Sequence, residues 1–266
     1  MKAATWPVVD ARGDGATTNA RRIAWFSCGA ASAVLARLAV DAYGDECKVV
    51  YCDTMSAEHP DNARFFADVE RWIGRSIEVI KSSAYVSVDD VIERRRYMAG
   101  IGGAACTTQL KKLPREAMQR IDDVHLFGYT AEESKRAEDF EDRNQSLRVE
   151  WLLIERGITK DQCHAMIEAA GIAQPEMYAL GYEHNNCLGC VKSTSTGYWN
   201  KIRRDFPATF EKRCRQSRAL GVRLVRLHGV RIFLDELPPD ADAPQDDIDC
   251  GPVCQLPLDF GQAVAP

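Results

Sequence analysis

The sequence contains no apolar run approaching the roughly 20 residues that a transmembrane helix needs. Residues 1–22 also lack the apolar centre of a secretory signal peptide. Positive charge is not in excess, because 34 Lys and Arg stand against 39 Asp and Glu. These absences predict a cytoplasmic protein with no membrane partner, and they disfavour bulk electrostatic binding of nucleic acid. Three short basic segments, 94–96, 111–112 and 203–204, are candidates for a local basic face.

Ten cysteines are present, but a disulfide framework is not expected in a cytoplasmic chain. Half of them lie in strand-like, loop or helical segments and are interpreted as small buried hydrophobic residues: Cys28, Cys47, Cys52, Cys163 and Cys214. The other half lie in irregular, glycine-rich or polar segments, which is typical of metal-binding or catalytic cysteines: Cys106, Cys187, Cys190, Cys250 and Cys254.

Strand-like and helical patterns alternate along the chain. The strand-like runs are 23–27, 48–52, 76–80 and 124–128, and the helical patterns are 31–43, 61–72, 88–98, 108–121 and 131–145. This alternation predicts an α/β fold with a doubly wound, mainly parallel sheet that carries helices on both faces.

The predicted organisation has four parts. Residues 1–20 are expected to be disordered, 21–195 to form the α/β domain, 196–237 a helical and β-hairpin extension, and 238–266 a mobile tail containing cysteines. Within the extension, His228-Gly229 separates two extended segments and predicts a hairpin turn.

The segment Ile23-Ala24-Trp25-Phe26-Ser27-Cys28-Gly29-Ala30-Ala31-Ser32 predicts a phosphate-binding loop between a buried strand and a helix. Backbone N–H groups at a helix start attract anions, and Gly29 with its small neighbours lets a phosphate approach the backbone. An ordinary strand-to-helix turn is the alternative. Because ligands bind beyond the carboxyl ends of parallel strands, we expect residues 27–29, 53–54 and 128–130 to share one crevice.

A C-x-x-C motif, Cys187-Leu188-Gly189-Cys190, lies in a loop-like segment. Two thiolates at this spacing bind a metal ion or a cluster edge, or form a redox disulfide, and two unremarkable thiols are a further alternative. Cys106 offers a third ligand from another loop, and Cys250 or Cys254 could fill a fourth position. The sequence therefore predicts an iron–sulfur site, with zinc as the alternative.

Five segments together resemble the phosphoadenosine phosphosulfate (PAPS) reductase family and its relatives, the ATP pyrophosphatases. Ser27-Cys28-Gly29-Ala30-Ala31-Ser32 is similar to the family's modified phosphate loop. The others follow in the family's order: Asp53-Thr54 with Glu58-His59-Pro60, residues 106–114, Gly128-Tyr129-Thr130 through Glu133-Ser134-Lys135-Arg136, and residues 178–190. The resemblance covers residues 21–190. The chain departs from the family pattern at Cys28 and Ala31, and at Thr107, which replaces the second cysteine of a pair.

The resemblance implies an adenine nucleotide, either adenylyl sulfate, PAPS or ATP with Mg²⁺. The implied nucleotide-binding residues are Ser27, Cys28, Gly29, Ala30, Ala31, Ser32, Asp53, Thr54, Gly128, Tyr129 and Ser134. It also implies an iron–sulfur cluster, of the 4Fe-4S type, on Cys106, Cys187 and Cys190 with Cys254 as a possible fourth ligand. Asp249-Cys250-Gly251 is similar to the reductases' mobile tail, which makes Cys250 the candidate nucleophile and Lys111 and Arg136 the catalytic cations.

Two activities fit these expectations. One is reduction of adenylyl sulfate or PAPS to sulfite, with thioredoxin or glutaredoxin as the thiol partner. The other is ATP-dependent, cluster-dependent transfer of sulfur to a nucleic acid substrate. A nucleotide-binding regulator without turnover is a third possibility. The aromatic and basic segment 198–204 predicts either a nucleic-acid contact or, more simply, the packed face of an amphipathic helix.

Overall fold

The computed structural model describes residues 20–100, 103–241 and 244–245. The strands are β1 (Arg22–Phe26), β2 (Cys47–Cys52), β3 (Glu78–Ile80), β4 (Ala99–Gly100), β5 (Gly103–Ala104), β6 (Val124–Leu126), β7 (Arg148–Glu150), β8 (Val225–Leu227) and β9 (Val230–Ile232). Residues 1–19 of the predicted N-terminal segment 1–20, and the tail from Asp246 onward, which carries Cys250 and Cys254, lie outside the described residues. Within the described part of the chain, no helix is long and apolar enough to cross a membrane.

Helices connect and flank these strands. They are α1 (Ala30–Tyr43), α2 (Asn62–Ile73), α3 (Val88–Arg95), α4 (Ala105–Thr107), α5 (Leu113–Met118), α6 (Ser134–Arg143), α7 (Leu152–Glu155), α8 (Lys160–Ala169), α9 (Glu176–Ala179), α10 (Thr196–Asp205) and α11 (Pro207–Leu220). A π-helical turn, Thr108–Lys112, joins α4 to α5 without a break in the backbone.

The central sheet has the order β3-β2-β1-β6-β7, and every neighbouring pair is parallel. The chain moves outward from β1 to β3 and then returns to the other side of β1. The direction of winding therefore changes between β1 and β6, which is where ligands bind in open α/β sheets. The predicted doubly wound α/β fold is confirmed, and β7 adds a fifth strand to the four predicted.

Alternate residues of β1 explain why helices cover both faces of the sheet. Ala24 and Phe26 contribute to a buried cluster with α1, α2 and α8. Ile23 and Trp25 point to the opposite face and pack with Phe140 of α6. Because side chains alternate along a strand, this run of apolar residues requires cover on both sides.

A third hydrophobic cluster joins the extension to the rest of the molecule. It combines residues of α3, α10, α11 and the β8–β9 hairpin with Cys190 and Val191 of the C-x-x-C segment. Trp199 and Ile202 of α10 are both fully buried in it. The packed-helix interpretation of segment 198–204 is therefore confirmed for these two residues, and the predicted hairpin turn at His228-Gly229 is also confirmed.

Two predicted helices have different ends in the structure. The helix predicted over 88–98 ends at Arg95, because Arg96 adopts a left-handed backbone with φ 52° and turns the chain. The helix predicted over 108–121 begins earlier, at Ala105, and ends at Met118. The sequence pattern gives no sign of the π-helical turn inside it.

A buried histidine on β6 accepts a hydrogen bond from the neighbouring strand. His125 is 1% exposed, and its Nδ1 accepts from Nε1 of Trp25 at 3.1 Å. The two rings stack with an interplanar angle of 9°. Burial, and then the charge of Arg115, lower the pKa of His125 from 6.5 to about 4. The imidazole is therefore neutral in the folded protein near neutral pH.

We expect the free energy of unfolding to fall as the pH drops from 6.5 toward about 4, because the unfolded chain binds a proton that folded His125 excludes. The pKa shift corresponds to a loss of up to about 3 kcal/mol. Urea unfolding across this range compares the wild-type chain with His125→Asn, which keeps an acceptor for Trp25 and does not titrate. Equal pH slopes for the two proteins would contradict the assignment.

Candidate functional site

A cavity of about 430 Å³ opens beyond the carboxyl ends of β1 and β6, at the point where the winding of the sheet reverses. Its walls come from strand ends, helix starts and the segment before the C-x-x-C motif. The lining residues are Trp25, Ser27, Gly29, Ala30, Ala31, Ser32, Glu58, Lys111, Phe127, Gly128, Tyr129, Thr130, Glu132, Glu133, Arg136, Lys160, His164, Tyr178, Glu183, His184, Asn185, Asn186 and Cys187.

Residues 27–32, called the 27–32 loop below, connect β1 to α1 along one wall of this cavity. The Ser32 hydroxyl donates to the Gly29 carbonyl at 2.9 Å and accepts from the Ser27 backbone N–H at 3.1 Å. Gly29 is the N-cap of α1, and no side chain caps the helix there. The start of α1 therefore presents backbone N–H groups toward the cavity, which is the geometry that favours an anion.

Tyr178 reaches the start of the same helix from α9. Its hydroxyl oxygen accepts from the backbone N–H of Ala30 at 3.3 Å, and its ring meets His164 edge to face with centroids 4.7 Å apart. Burial raises the pKa of Tyr178, so the hydroxyl is protonated and can itself donate. An anion bound at the start of α1 would meet this hydroxyl.

The conformational strain of the 27–32 loop lies at Cys28 rather than at a glycine. Cys28 has φ 58°, whereas Gly29 has an extended backbone with φ −91°. The Cys28 carbonyl accepts from Nδ2 of Asn185 at 2.7 Å, and the same nitrogen lies 2.8 Å from Oδ1 of Asn62. A side chain from the segment before the C-x-x-C motif thus holds the strained residue in place.

Glu58 anchors the other end of this hydrogen-bond network. Its carboxylate accepts from Nδ2 of Asn62 at 2.6 Å, from the Thr54 hydroxyl at 2.6 Å and from the Tyr51 hydroxyl at 2.8 Å. Glu58 is 8% exposed, so these three donors compensate for the loss of water around its charge. Burial, and then the charge of Glu58, raise the pKa of the Cys28 thiol, which keeps it protonated.

Gly128 is where the loop after β6 meets the start of α1. A Cβ at this position would lie 2.9 Å from the Ser32 nitrogen and 3.0 Å from its Cα. Any side chain would push α1 away from β6, since backbone atoms cannot yield as a flexible side chain can. The absence of a side chain at Gly128 therefore brings the two strand ends together at the cavity.

Cationic and acidic side chains share the cavity wall. Lys111, on the π-helical turn, is 8% exposed and lines the cavity. The Arg136 guanidinium lies 4.4 Å from the centre of the Tyr129 ring and pairs with Glu133. Glu133 also accepts from the backbone N–H of Thr130 at 3.0 Å. Arg136 is thus held between a ring and a carboxylate that is itself fixed.

Most of the predicted nucleotide-binding residues meet at this cavity. The 27–32 loop lines it, except that the Cys28 side chain is fully buried, and Gly128 and Tyr129 line the facing wall. Lys111 and Arg136, the predicted catalytic cations, line it as well.

Besides Cys28, three predicted nucleotide-binding residues do not line the cavity. Asp53 accepts from the backbone N–H of Met55 at 3.2 Å and pairs with Lys81. Thr54 directs its hydroxyl to Glu58, and Ser134 donates to the carbonyl of Ala131 at 2.7 Å. Their side chains hold the surrounding loops, so any part they play in the described arrangement is indirect.

The three predicted metal ligands that the structure describes belong to one cluster. Cys106, Cys187 and Cys190 all contribute to the third hydrophobic cluster, and Cys187 also lines the cavity. Among the described residues, no group of three or more His, Cys, Asp and Glu side chains is placed to hold a metal ion. The iron–sulfur site stays a prediction, and its candidate fourth ligands, Cys250 and Cys254, lie outside the described residues.

Several residues that line the cavity were not predicted from the sequence as site residues. Lys160 and His164 stand on α8, while Glu183 and His184 precede the C-x-x-C motif. Lys160 donates to the Glu183 carbonyl at 2.8 Å and so joins the two segments. None of these residues directly follows a strand of the sheet. The rule that ligands bind beyond the carboxyl ends of parallel strands therefore does not predict them.

No protein-family model matches the sequence, and no curated protein matches it. Among solved structures, the chain is similar to the crystal structure of phosphoadenylyl-sulfate (PAPS) reductase from Candida auris in a phosphate complex. The match has a TM-score of 0.44 and 12% sequence identity, and it covers 64% of this chain and 82% of that chain. A likeness of this size says nothing about the chemistry of the cavity.

Two glycines beside the cavity should respond differently to an added methyl group. We expect Gly128→Ala to lower the free energy of unfolding by about 1–3 kcal/mol, because the methyl group would displace the start of α1. For Gly29→Ala the nearest atom would be 3.6 Å away, so a loss below about 1 kcal/mol is expected. Urea unfolding of both variants without ligand measures the difference. Equal losses would show that the close approach at Gly128 does not govern the loop.

Proposed function

We propose that the chain is an enzyme that binds an adenine nucleotide in this cavity and reduces its sulfate group, with adenylyl sulfate or PAPS as substrate. The single observation that carries the proposal is the start of α1. The N-cap residue Gly29 provides no side-chain acceptor, and the backbone N–H groups there, of which that of Ala30 meets the Tyr178 hydroxyl, open into the same cavity as Lys111 and Arg136. A phosphosulfate is a small, doubly charged anion that such a combination of donors and cations would recognise.

The phosphosulfate would lie along the 27–32 loop. Backbone N–H groups at Ala30 and Ala31 would donate to it, and Lys111 would supply charge from the opposite wall. Hydrogen bonds to charged groups contribute about 1.5–3 kcal/mol each, more than a neutral pair. The Tyr178 hydroxyl, already at the helix start, would either donate to the anion or be displaced by it.

The nucleoside would be held by aromatic and polar groups of the same cavity. Tyr129 stacks on Trp151 with ring centroids 5.1 Å apart, which fixes the ring that faces Arg136. Within the described residues, the Asn185 Oδ1 atom is buried and has no hydrogen-bond partner. A ribose hydroxyl or an adenine amino group would satisfy it, which supports a nucleoside rather than a simple inorganic anion.

The proposed reaction needs a thiolate, and Cys250 is the sequence-based candidate. Its sulfur would attack the sulfonate sulfur, the bond from that sulfur to the phosphate oxygen would break, and AMP or its 3′-phosphorylated form would leave. A dithiol partner such as thioredoxin would then reduce the thiosulfonate and release sulfite while becoming a disulfide. Lys111 and Arg136 would stabilise the charge on the leaving phosphate.

Binding tests the role of the cavity cations. We expect Lys111→Gln to weaken binding of AMP and adenylyl sulfate by about tenfold or more, because a charge-assisted contact is lost. Lys112→Gln removes the same charge from the next residue, which does not line the cavity, and should bind normally. Isothermal titration calorimetry of both variants gives the affinities. Equal affinities for both would exclude the proposed placement of the phosphates.

Product analysis tests the chemistry. We expect sulfite release from adenylyl sulfate or PAPS with reduced thioredoxin, and loss of this activity in Cys250→Ser. Cys214→Ser, a substitution of the partly buried thiol on α11, should retain it. Sulfite release that survives in Cys250→Ser would remove that cysteine from the mechanism. Pyrophosphate release from ATP that depends on RNA or DNA would instead identify an adenylating sulfur-transfer enzyme.

A further inference from the structure

Positive charge is concentrated in the extension. Residues 196–237 contain ten Lys and Arg but only four Asp and Glu, a net charge of +6, whereas the whole chain has a net charge of −5. The rest of the chain is therefore strongly acidic, at −11. A local excess of this size on an acidic protein indicates a surface that meets a polyanion.

Part of this charge is used inside the molecule. Arg213 is 2% exposed, pairs with Asp89 of α3 and donates from Nε to the Gly189 carbonyl at 3.1 Å. Lys212 pairs with the same carboxylate at 2.7 Å. These two residues fasten α11 to α3 and to the C-x-x-C segment, so they are not available to a partner.

The β8–β9 hairpin presents two further arginines, of which Arg231 also donates to the Leu224 carbonyl at 2.5 Å. Arg226 and Arg231 are directly opposite each other across the two strands, so their side chains leave the same face. Val225, on the other face, is fully buried in the third hydrophobic cluster. Like charges placed opposite each other on a ladder are destabilising, and an anionic partner would relieve this repulsion.

A phenylalanine continues this exposed face. Phe233 follows Arg231 by two residues, and the Arg223 guanidinium lies 5.2 Å from the centre of its ring. We call Arg223, Arg226, Arg231 and Phe233 the arginine face. Within the described residues, none of these three arginines forms an ion pair with a carboxylate, whereas Arg218, on the same ring, pairs with Asp235 and Glu236.

From this geometry we propose that the arginine face binds the sugar–phosphate backbone of a nucleic acid. Arginine donates two parallel hydrogen bonds to a phosphate, and arginines exposed on one face of the hairpin match the repeating charges of a phosphate chain. The backbone N–H of Arg226 donates to the Thr194 carbonyl at 2.9 Å, which ties the hairpin to the segment that follows the C-x-x-C motif.

The chain's own acidic tail is the competing occupant. Where it is described, the tail runs along α10 instead. Asn200 donates to the Pro238 carbonyl at 2.9 Å, and Ser195 donates to the Pro244 carbonyl at 2.7 Å. Gln245 then donates to the Gly181 carbonyl at 3.1 Å. Within residues 238–241 and 244–245, none of the tail's contacts involves the arginine face.

Fluorescence anisotropy with short labelled RNA and DNA, single-stranded and duplex, tests the proposal on the full chain without nucleotide. We expect binding of at least one probe, weakened by about tenfold or more in Arg226→Gln/Arg231→Gln. The salt dependence should also flatten, by about 1.4 in the slope of log K against log salt for a single strand. Arg120→Gln/Arg148→Gln removes two exposed arginines at the amino ends of β6 and β7 and should bind as the wild-type chain does.

Three results would overturn the proposal. The wild-type chain could bind no probe, or both double variants could lose affinity equally. Alternatively, only a chain ending at Gln245 could bind, which would make the tail the occupant of the arginine face. Comparison of the RNA and DNA probes shows which of the two nucleic acids the arginine face binds. Because no nucleotide or turnover is involved, failure here would leave the proposed sulfonucleotide chemistry untouched.

Discussion

The hydrogen-bond network from Glu58 through Asn62 and Asn185 to the Cys28 carbonyl is the interaction on which the cavity depends. It joins the loop after β2, the first turn of α2 and the segment before the C-x-x-C motif. It also holds a non-glycine residue at φ 58°, a backbone conformation that is unfavourable without such support. The orientation of the backbone N–H groups at the start of α1 follows from this support.

The cavity is built so that its charges are in place before a ligand arrives. Arg136 is fixed by Tyr129 and Glu133, and Lys160 is tied to the Glu183 carbonyl. Side chains held in this way lose little conformational entropy when a ligand binds. A larger part of the free energy of each contact therefore contributes to affinity. The acidic residues of the wall, Glu58, Glu132, Glu133 and Glu183, limit the net positive charge of the cavity.

Hydrophobic periodicity and the strand-end rule predicted the sheet and the loops that follow its strands. They did not predict cavity residues that come from segments distant in the sequence. The apolar run of β1 and the small residues after it predicted that the 27–32 loop lies close to Gly128. The loop and Gly128 each follow a strand of the parallel sheet. Tyr178 and Lys160 could not be found in this way, because tertiary packing of α8 and α9 brings them to the cavity. Thr54 follows β2, as the strand-end rule requires, but its hydroxyl donates to buried Glu58, a contact that nothing in the sequence shows.

The bonds between the extension and the C-x-x-C segment have a consequence for how such a chain can evolve. The Tyr198 hydroxyl accepts from the backbone N–H of Cys190 at 2.7 Å, and Arg213 holds the Gly189 carbonyl. Without α10 and α11 these backbone groups would lose their partners, and the third hydrophobic cluster would be exposed. The extension is therefore not a module that recombination could exchange between proteins. It and the α/β part must be inherited as one unit.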